Sequence, residues 1–377
     1  MLGGLCVKSF AAFNNGPIGL RSLAAPRPFQ LVDQQPGRRS CGENRPRVIP
    51  TLASWDPGEN EMRRTFGRRN AAAIAAGGVL ASLVRSNRAR AAVAADMAEP
   101  APGLFVRVGV TEDATAANID AIANIGFVVG REAVAVIDPG GSLADGLALR
   151  AAVLARTSLP IRYVIVTHIH PDHILGSPAF VQDKPVFIGH AALPGAIAER
   201  GAFYQTNMHT LLGDDGGAAV MPDRLVATTD TIDLGGRVLE LRAHGPAHSG
   251  SDLTVMDRAT STLWAADLLF ETRVPSLDGS VRGWLRELTA LEATQAARVI
   301  PGHGPASMPW PDGVADVRRY LQTLAGDVRK VLDSGGELED AVSVAAQTER
   351  GRWQLFDDYN PHNIAHAVHE LEWENPL

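Results

Sequence analysis

From residue 103 onward the hydrophobic positions fall into a regular order of short strands and helices. Residues 105–110 alternate apolar and polar, which predicts a half-buried strand. Residues 125–130 and 133–137 are two apolar runs joined across Gly130-Arg131-Glu132, the pattern of a hairpin. Asp138-Pro139-Gly140-Gly141-Ser142 breaks the sheet, with Ser142 placed to cap a helix over 144–156. Further strands are expected at 161–167 and 185–189, then a helix at 190–200. Residues 200–223 show no period and predict a long irregular loop. Strands near 224–228, 236–243, 252–257 and 262–266 follow, then a helix at 282–297. After Gly304 the period becomes helical: Val314, Val317, Leu321, Leu324, Val328 and Val331 mark one helix, with others at 338–347 and 362–372. Two halves, each strands then helix, predict an α/β (α+β) layered fold of αββα type over 103–305. Residues 306–377 read as a helical extension packed on it, having too few apolar residues for a core of their own.

The first 94 residues differ from this. Arg63-Arg64-Thr65-Phe66-Gly67-Arg68-Arg69, a weakly apolar stretch at 71–84 and the small-x-small patterns at 89–94 compose an export signal over 62–94. The paired arginines point to the route that carries folded cargo, hence a periplasmic location. The apolar stretch is shorter than the ~20 residues a membrane span needs, so no stable membrane anchor is expected. Residues 1–61, rich in Pro, Gly, Arg and Asn, read as a disordered leader or as an extension absent when translation starts at Met62.

Charge sharpens the division. The 377 residues carry 35 Lys+Arg and 42 Asp+Glu, but 14 of the basic and 5 of the acidic residues lie before position 95. The remainder holds 21 basic against 37 acidic residues, a net of −16, which argues against nucleic acid as a partner. Both cysteines, Cys6 and Cys41, are in the N-terminal segment, so a metal site in the body must be built from His, Asp and Glu.

Such residues converge in Thr167-His168-Ile169-His170-Pro171-Asp172-His173, at the end of an apolar strand. His168 and His170, two apart on extended chain, point the same way and can share one ion. Pro171 suits the first turn of a helix that swings Asp172 and His173 toward a second ion. His248, in a small-residue loop, supplies a third ligand to the first ion. Asp267, after strand 262–266, can bridge both, and His303 in Pro301-Gly302-His303-Gly304-Pro305 completes the second. Imidazole and carboxylate without thiolate suit two divalent ions, zinc first, with iron or manganese as alternatives. Such a pair would share a hydroxide that attacks a carbonyl or phosphoryl group. Asp172 and His173 are assigned catalytic as well as ligating roles. His244 is a candidate support for His248, and Asp252 for its loop. His190 reads as a helix-cap residue, and His362, His366 and His369 as a polar helix face.

These motifs resemble the signature of the metallo-β-lactamase superfamily over about 106–305. The resemblance implies the αββα fold and a glyoxalase-II-like dinuclear site. His168, His170 and His248 would hold one metal, Asp172, His173 and His303 the other, and Asp267 would bridge. His-Pro-Asp-His-Ile-Leu-Gly at 170–176, Pro-Gly-His-Gly-Pro at 301–305, and the tail segments 353–361 and 370–374 are similar to the quinoprotein relay zinc metallohydrolases. That resemblance implies an exported hydrolase of an ester, thioester or lactone-type bond in a small molecule, linked to a periplasmic quinoprotein system. The alternatives are a β-lactamase and a non-hydrolytic metalloprotein that assists a quinone cofactor or redox partner.

Overall fold

The computed structural model describes residues 96–373. The expected extension at 1–61, the signal at 62–94 and both cysteines lie outside the described residues. Two sheets stack face to face. The first has the order β1 (Ala98–Ala101), β2 (Leu104–Arg107), β3 (Ile125–Val129), β4 (Val134–Ile137), β5 (Ile161–Ile165), β6 (Val186–His190) and β7 (Arg224–Val226). The second runs β13 (Met308–Pro309), β12 (Arg298–His303), β11 (Thr262–Phe270), β10 (Leu253–Asp257), β9 (Val238–Ala243) and β8 (Thr229–Asp233).

Strands β4 to β7 are parallel. Parallel strands are covered on both faces, which explains why β4 is uniformly apolar and buried rather than alternating. Leu104, Ile137, Ile165, Leu241, Val255, Trp264 and Ile300 fill the space between the sheets. Helix α1 (Leu143–Arg156), capped by Ser142 as its sequence predicts, covers the outer face of the first sheet through Leu149 and Val153. The outer face of the second sheet is covered by α5 (Val281–Glu292), α6 (Val314–Asp333), α7 (Leu338–Val344) and α8 (Phe356–Glu372), which share one apolar cluster with Leu263 and Val299 of the sheet. The C-terminal helices are thus an outer layer of the αββα stack. Among the described residues no helix is long and apolar enough to cross a membrane.

Several local expectations differ from the structure. Strand β2 ends at Arg107 instead of 110, because Arg107 turns inward to donate to Ala121 O (2.8 Å), Ala123 O (2.9 Å) and Asp145 Oδ2 (2.6 Å). The expected irregular loop at 200–223 is mostly helical. A short α3 (Leu193–Ala196) passes through a π turn (Ile197–Gly201) into α4 (Ala202–Leu212). Only Met208 of α4 is buried, so the helix left no apolar period to read. Helix α8 starts at Phe356 rather than 362. Pro361 lies inside it, and its missing donor would face Asp357, an exposed residue near the helix start. Strand β1, ahead of residue 103, was not foreseen.

Candidate metal centre

The parallel ladder sets the first half of the site. Strands β4 and β5 end side by side, delivering Asp138 from one and the segment 167–173 from the other. Asp138, buried and at φ 56°, accepts from the Thr167 N–H (2.8 Å), the Thr167 hydroxyl (2.8 Å) and His173 Nδ1 (2.9 Å). The Thr167 hydroxyl spends its one proton on Asp138, so at 3.0 Å it accepts from His168 Nδ1. One carboxylate therefore fixes both His168 and His173 with their Nε2 atoms free. Helix α2 (Pro171–Ile174), with Pro171 in its first turn, turns Asp172 and His173 inward as the motif predicts.

The second half arrives on separate elements. His248 follows β9 in a loop held by Asp252, which accepts from the Ser249 N–H and hydroxyl. His248 Nδ1 donates to Ser276 O (2.6 Å), leaving Nε2 free. Asp267 lies within β11, not after it: the register of β11 against β12 shifts on both sides of Ala266, which has φ 46°. Such a bulge re-aims the next side chain, here into the site. His303 ends β12, with Nδ1 donating to Ile122 O (3.0 Å). Gly302 is obligatory beside it, because a Cβ there would lie 1.8 Å from Asp267 Oδ1.

All seven predicted residues come together, in two groups sharing Asp267. In the first, His168 Nε2, His170 Nδ1 and His248 Nε2 converge, with His170–His248 at 2.7 Å, His168–His248 at 3.2 Å and Asp267 Oδ2 at 3.4 Å from His248. His170 Nε2 faces Asp278 Oδ2 at 3.1 Å, so its Nδ1 also carries a lone pair. Three lone pairs at these separations repel one another unless a cation lies between them. In the second group, His303 Nε2 is 3.3 Å from both Asp172 Oδ2 and Asp267 Oδ2, and His173 Nε2 is 3.0 Å from Asp267 Oδ1. A tetrahedral ion with bonds of about 2.1 Å has ligand-to-ligand edges of about 3.4 Å, close to these values. His173 Nε2 and Asp267 Oδ1 are buried without a hydrogen-bond partner, as metal-ready atoms would be. The residues present therefore fit two divalent ions.

The electrostatics agree. Burial alone would raise Asp267, but His173, His303, His248 and His168 overcome it and hold the carboxylate well below its ordinary range. Burial, reinforced by His173, drives His168 well below the ordinary imidazole value, so it offers a lone pair. Around His173, burial is outweighed by Asp267, Asp172 and Asp138, which favour positive charge at that place.

A cavity of about 520 Å³ opens over the two groups, lined by Asp172, His170, His248, Asp267 and His303 together with Arg273 and Tyr359. His173 is fully buried and does not line it. Its Nε2 faces Asp267 Oδ1 and Asp172 Oδ2 rather than the cavity. His244 bonds Glu287 (2.9 Å) and Thr254 (2.9 Å), not His248. His190 accepts from the Ala192 N–H (2.9 Å), a cap contact at the start of the following helix.

Sequence reasoning missed Asp138, Asp278, Arg273 and Asn363. In the sequence Asp138 reads only as a sheet breaker; its place at the end of a strand neighbouring the His motif is the available signal. Asn363 of α8 accepts from the Leu277 N–H (2.8 Å) and donates to Pro275 O (2.7 Å), clamping both sides of Ser276, which orients His248. No local pattern announces such a contact.

Residues 119–303 match the family model described as Metallo-beta-lactamase superfamily. Among solved structures the chain is similar to the sec-alkylsulfatase Pisa1 from Pseudomonas sp., at TM-score 0.56 and 16% identity, over 74% of this chain and 52% of that one. A double mutant of that alkylsulfatase gives TM-score 0.52 at 17% identity, over 66% and 45% of the two chains. A metallo-beta-lactamase from Pontibacter korlensis gives 0.49 at 19% identity, over 60% and 98%. The chain thus spans about half the length of the alkylsulfatase structures, and the likeness is one of fold. A comparison with curated proteins returns no match. These comparisons stop at the superfamily and do not reach the narrower quinoprotein-linked group. With the two stacked sheets and the His and Asp groups at their edge, the match marks residues 119–303 as a metallo-β-lactamase superfamily domain.

Proposed function

We propose that the protein is an exported dinuclear metallohydrolase that opens an ester, thioester or lactone-type bond in a small molecule bearing an acidic group. The observation that carries this reading is Asp267, one carboxylate within 3.4 Å of a ligand atom in each donor group. Two bound ions, zinc first and iron or manganese as alternatives, would supply a water of pKa lowered toward ~7 and a Lewis acid for the scissile carbonyl.

The chain's own residues do the rest. Asp172 lines the cavity, and His173 and His303 overcome its burial to keep it ionised. It can accept a hydrogen bond from the attacking water and orient it. Phe270 stacks on His303 with ring centroids 5.0 Å apart and keeps bulk water from that side. Arg273 is 5% exposed and lines the cavity, with Nε lacking a hydrogen-bond partner. Its nearest polar contacts are long, 3.4 Å to Glu112 O and 3.9 Å to Asp113, while the Tyr359 ring covers its guanidinium at 4.5 Å. A buried, under-bonded guanidinium supports recognition of a substrate carboxylate or a similar anion.

Export rests on the sequence at 62–94, and the quinoprotein link on the segments 170–176, 301–305, 353–361 and 370–374 together. The body's acidic charge supports neither nucleic acid nor an anionic membrane surface as partner. The test is a panel of esters, thioesters, lactones and β-lactams, each with and without a carboxylate, against metal-loaded protein. Chelator-sensitive turnover of an acidic ester, thioester or lactone is expected. Turnover confined to β-lactams, or insensitive to chelator, contradicts the proposal. Tight quinone binding without turnover of any panel member would favour the non-hydrolytic alternative instead.

A further inference from the structure

Outside the two groups described above, metal-type donors converge once more among the described residues, at the cavity mouth. Asp278 lies in the loop between β11 and α5. His362 and His366 stand one turn apart on α8, where side chains four residues apart share a face. Their rings approach to a centroid separation of 4.4 Å. Asp278 Oδ1 is 3.6 Å from His366 Nε2, and one ligand atom from each of the three residues lies within 4.8 Å of the others.

We propose that Asp278, His362 and His366 form a third divalent-cation site, separate from the dinuclear centre. The two oxygens of Asp278 have divided roles. Oδ2 accepts from His170 Nε2 at 3.1 Å and from Arg200, so it is committed to the first donor group and to the helical segment over the cavity. Oδ1 faces His366 at a separation too long for a hydrogen bond, yet close to the ligand-to-ligand edge of a coordination sphere. Two imidazoles and one carboxylate meeting from one side leave the remaining positions to water, the donor set of a labile Zn²⁺, Fe²⁺ or Mn²⁺ site. His362 is exposed and His366 half-buried, so the ion can exchange with solvent.

Two features set its strength and its consequence. Arg200 shares the same carboxylate, so a cation on Oδ1 competes with it, and the third ion binds more weakly than the first two. Asp278 also donates its backbone N–H to His248 O at 2.9 Å, so it touches two members of the first donor group. Occupancy of the third site therefore bears on how His170 and His248 are held.

The experiment uses full-length protein loaded with Zn²⁺, cleared of excess and titrated with Zn²⁺ alone by calorimetry. One further equivalent, at least tenfold weaker than those already bound, is expected in the wild type and in His369→Ala. His369 lies on the same helix outside the cluster. That equivalent is lost in His362→Ala and in His366→Ala, with the tightly held zinc unchanged. Its absence from the wild type, or its persistence in either His362→Ala or His366→Ala, overturns the proposal. The inference is separable from the dinuclear reading. If that reading fails, the tightly held zinc falls short of two in every variant, while the one-equivalent difference between wild type and His366→Ala still decides the third site.

Discussion

The two sheets contribute to one centre by different means. In the first, Asp138 and the segment 167–173 sit on adjacent parallel strands, and one buried carboxylate aligns two imidazoles through Thr167. In the second, His248, Asp267 and His303 come from three separate segments, each fixed by something distant. Ser276 holds His248, a bulge aims Asp267, and Ile122 O holds His303. The peptide groups around Ser276 are clamped in turn by Asn363 of the outermost helix layer. The first half is compact in sequence, and His170 leans outside it, on Asp278. The second depends more on the completed fold, so damage far from the centre reaches metal binding mainly through it.

This contrast can be broken experimentally. The largest effect is expected from Asp267→Ala, which removes the residue common to both groups. Both ions should be lost and activity should fall below detection, read as metal content and turnover. Asp138→Asn strikes the half that is compact in sequence. It should weaken metal binding by about 10–100-fold, as loss of a ligand's outer partner does, in both groups, because Asp138 holds His168 through Thr167 and His173 directly. Metal competition assays check this, and weakening confined to one group would show that Asp138 holds only one of the two imidazoles. Asn363→Ala strikes the fold-dependent half from outside the cavity. It leaves the Leu277 N–H and Pro275 O unpaired and should cost about 1–3 kcal/mol of stability. In denaturant melts and metal titrations, the loss should be accompanied by weaker binding in the His168–His170–His248 group. The smallest effect on the centre belongs to Arg273→Ala. Metal content should stay unchanged, while kcat/KM for acidic substrates falls about tenfold, as removal of one charge-assisted hydrogen bond implies. Equal loss on substrates with and without a carboxylate would assign Arg273 a structural role instead.

What could be read in the sequence follows the same division. The run from Thr167 to His173 is local, so its spacing alone predicts that its ligands face one another. His248, Asp267 and His303 could be named because each follows or ends a strand legible in the sequence, although β11 runs on past Asp267 to Phe270. The partners that orient them could not, since Ser276, Ile122 and Asn363 act through backbone oxygens or across the whole fold. The segment over the cavity was misread for a related reason: α4 buries only Met208 and so carries no apolar period. His362 and His366 were visible as a polar helix face, but their meeting with Asp278 depends on how α8 packs.

The central claim is that one chain holds two ions through seven side chains that share Asp267. Its most direct test is elemental analysis of the full-length protein purified without chelator. Two transition-metal ions per chain are predicted for the wild type, and about one for Asp172→Ala, with the His168–His170–His248 ion kept. A wild-type protein that holds at most one ion under metal-replete conditions would contradict the account.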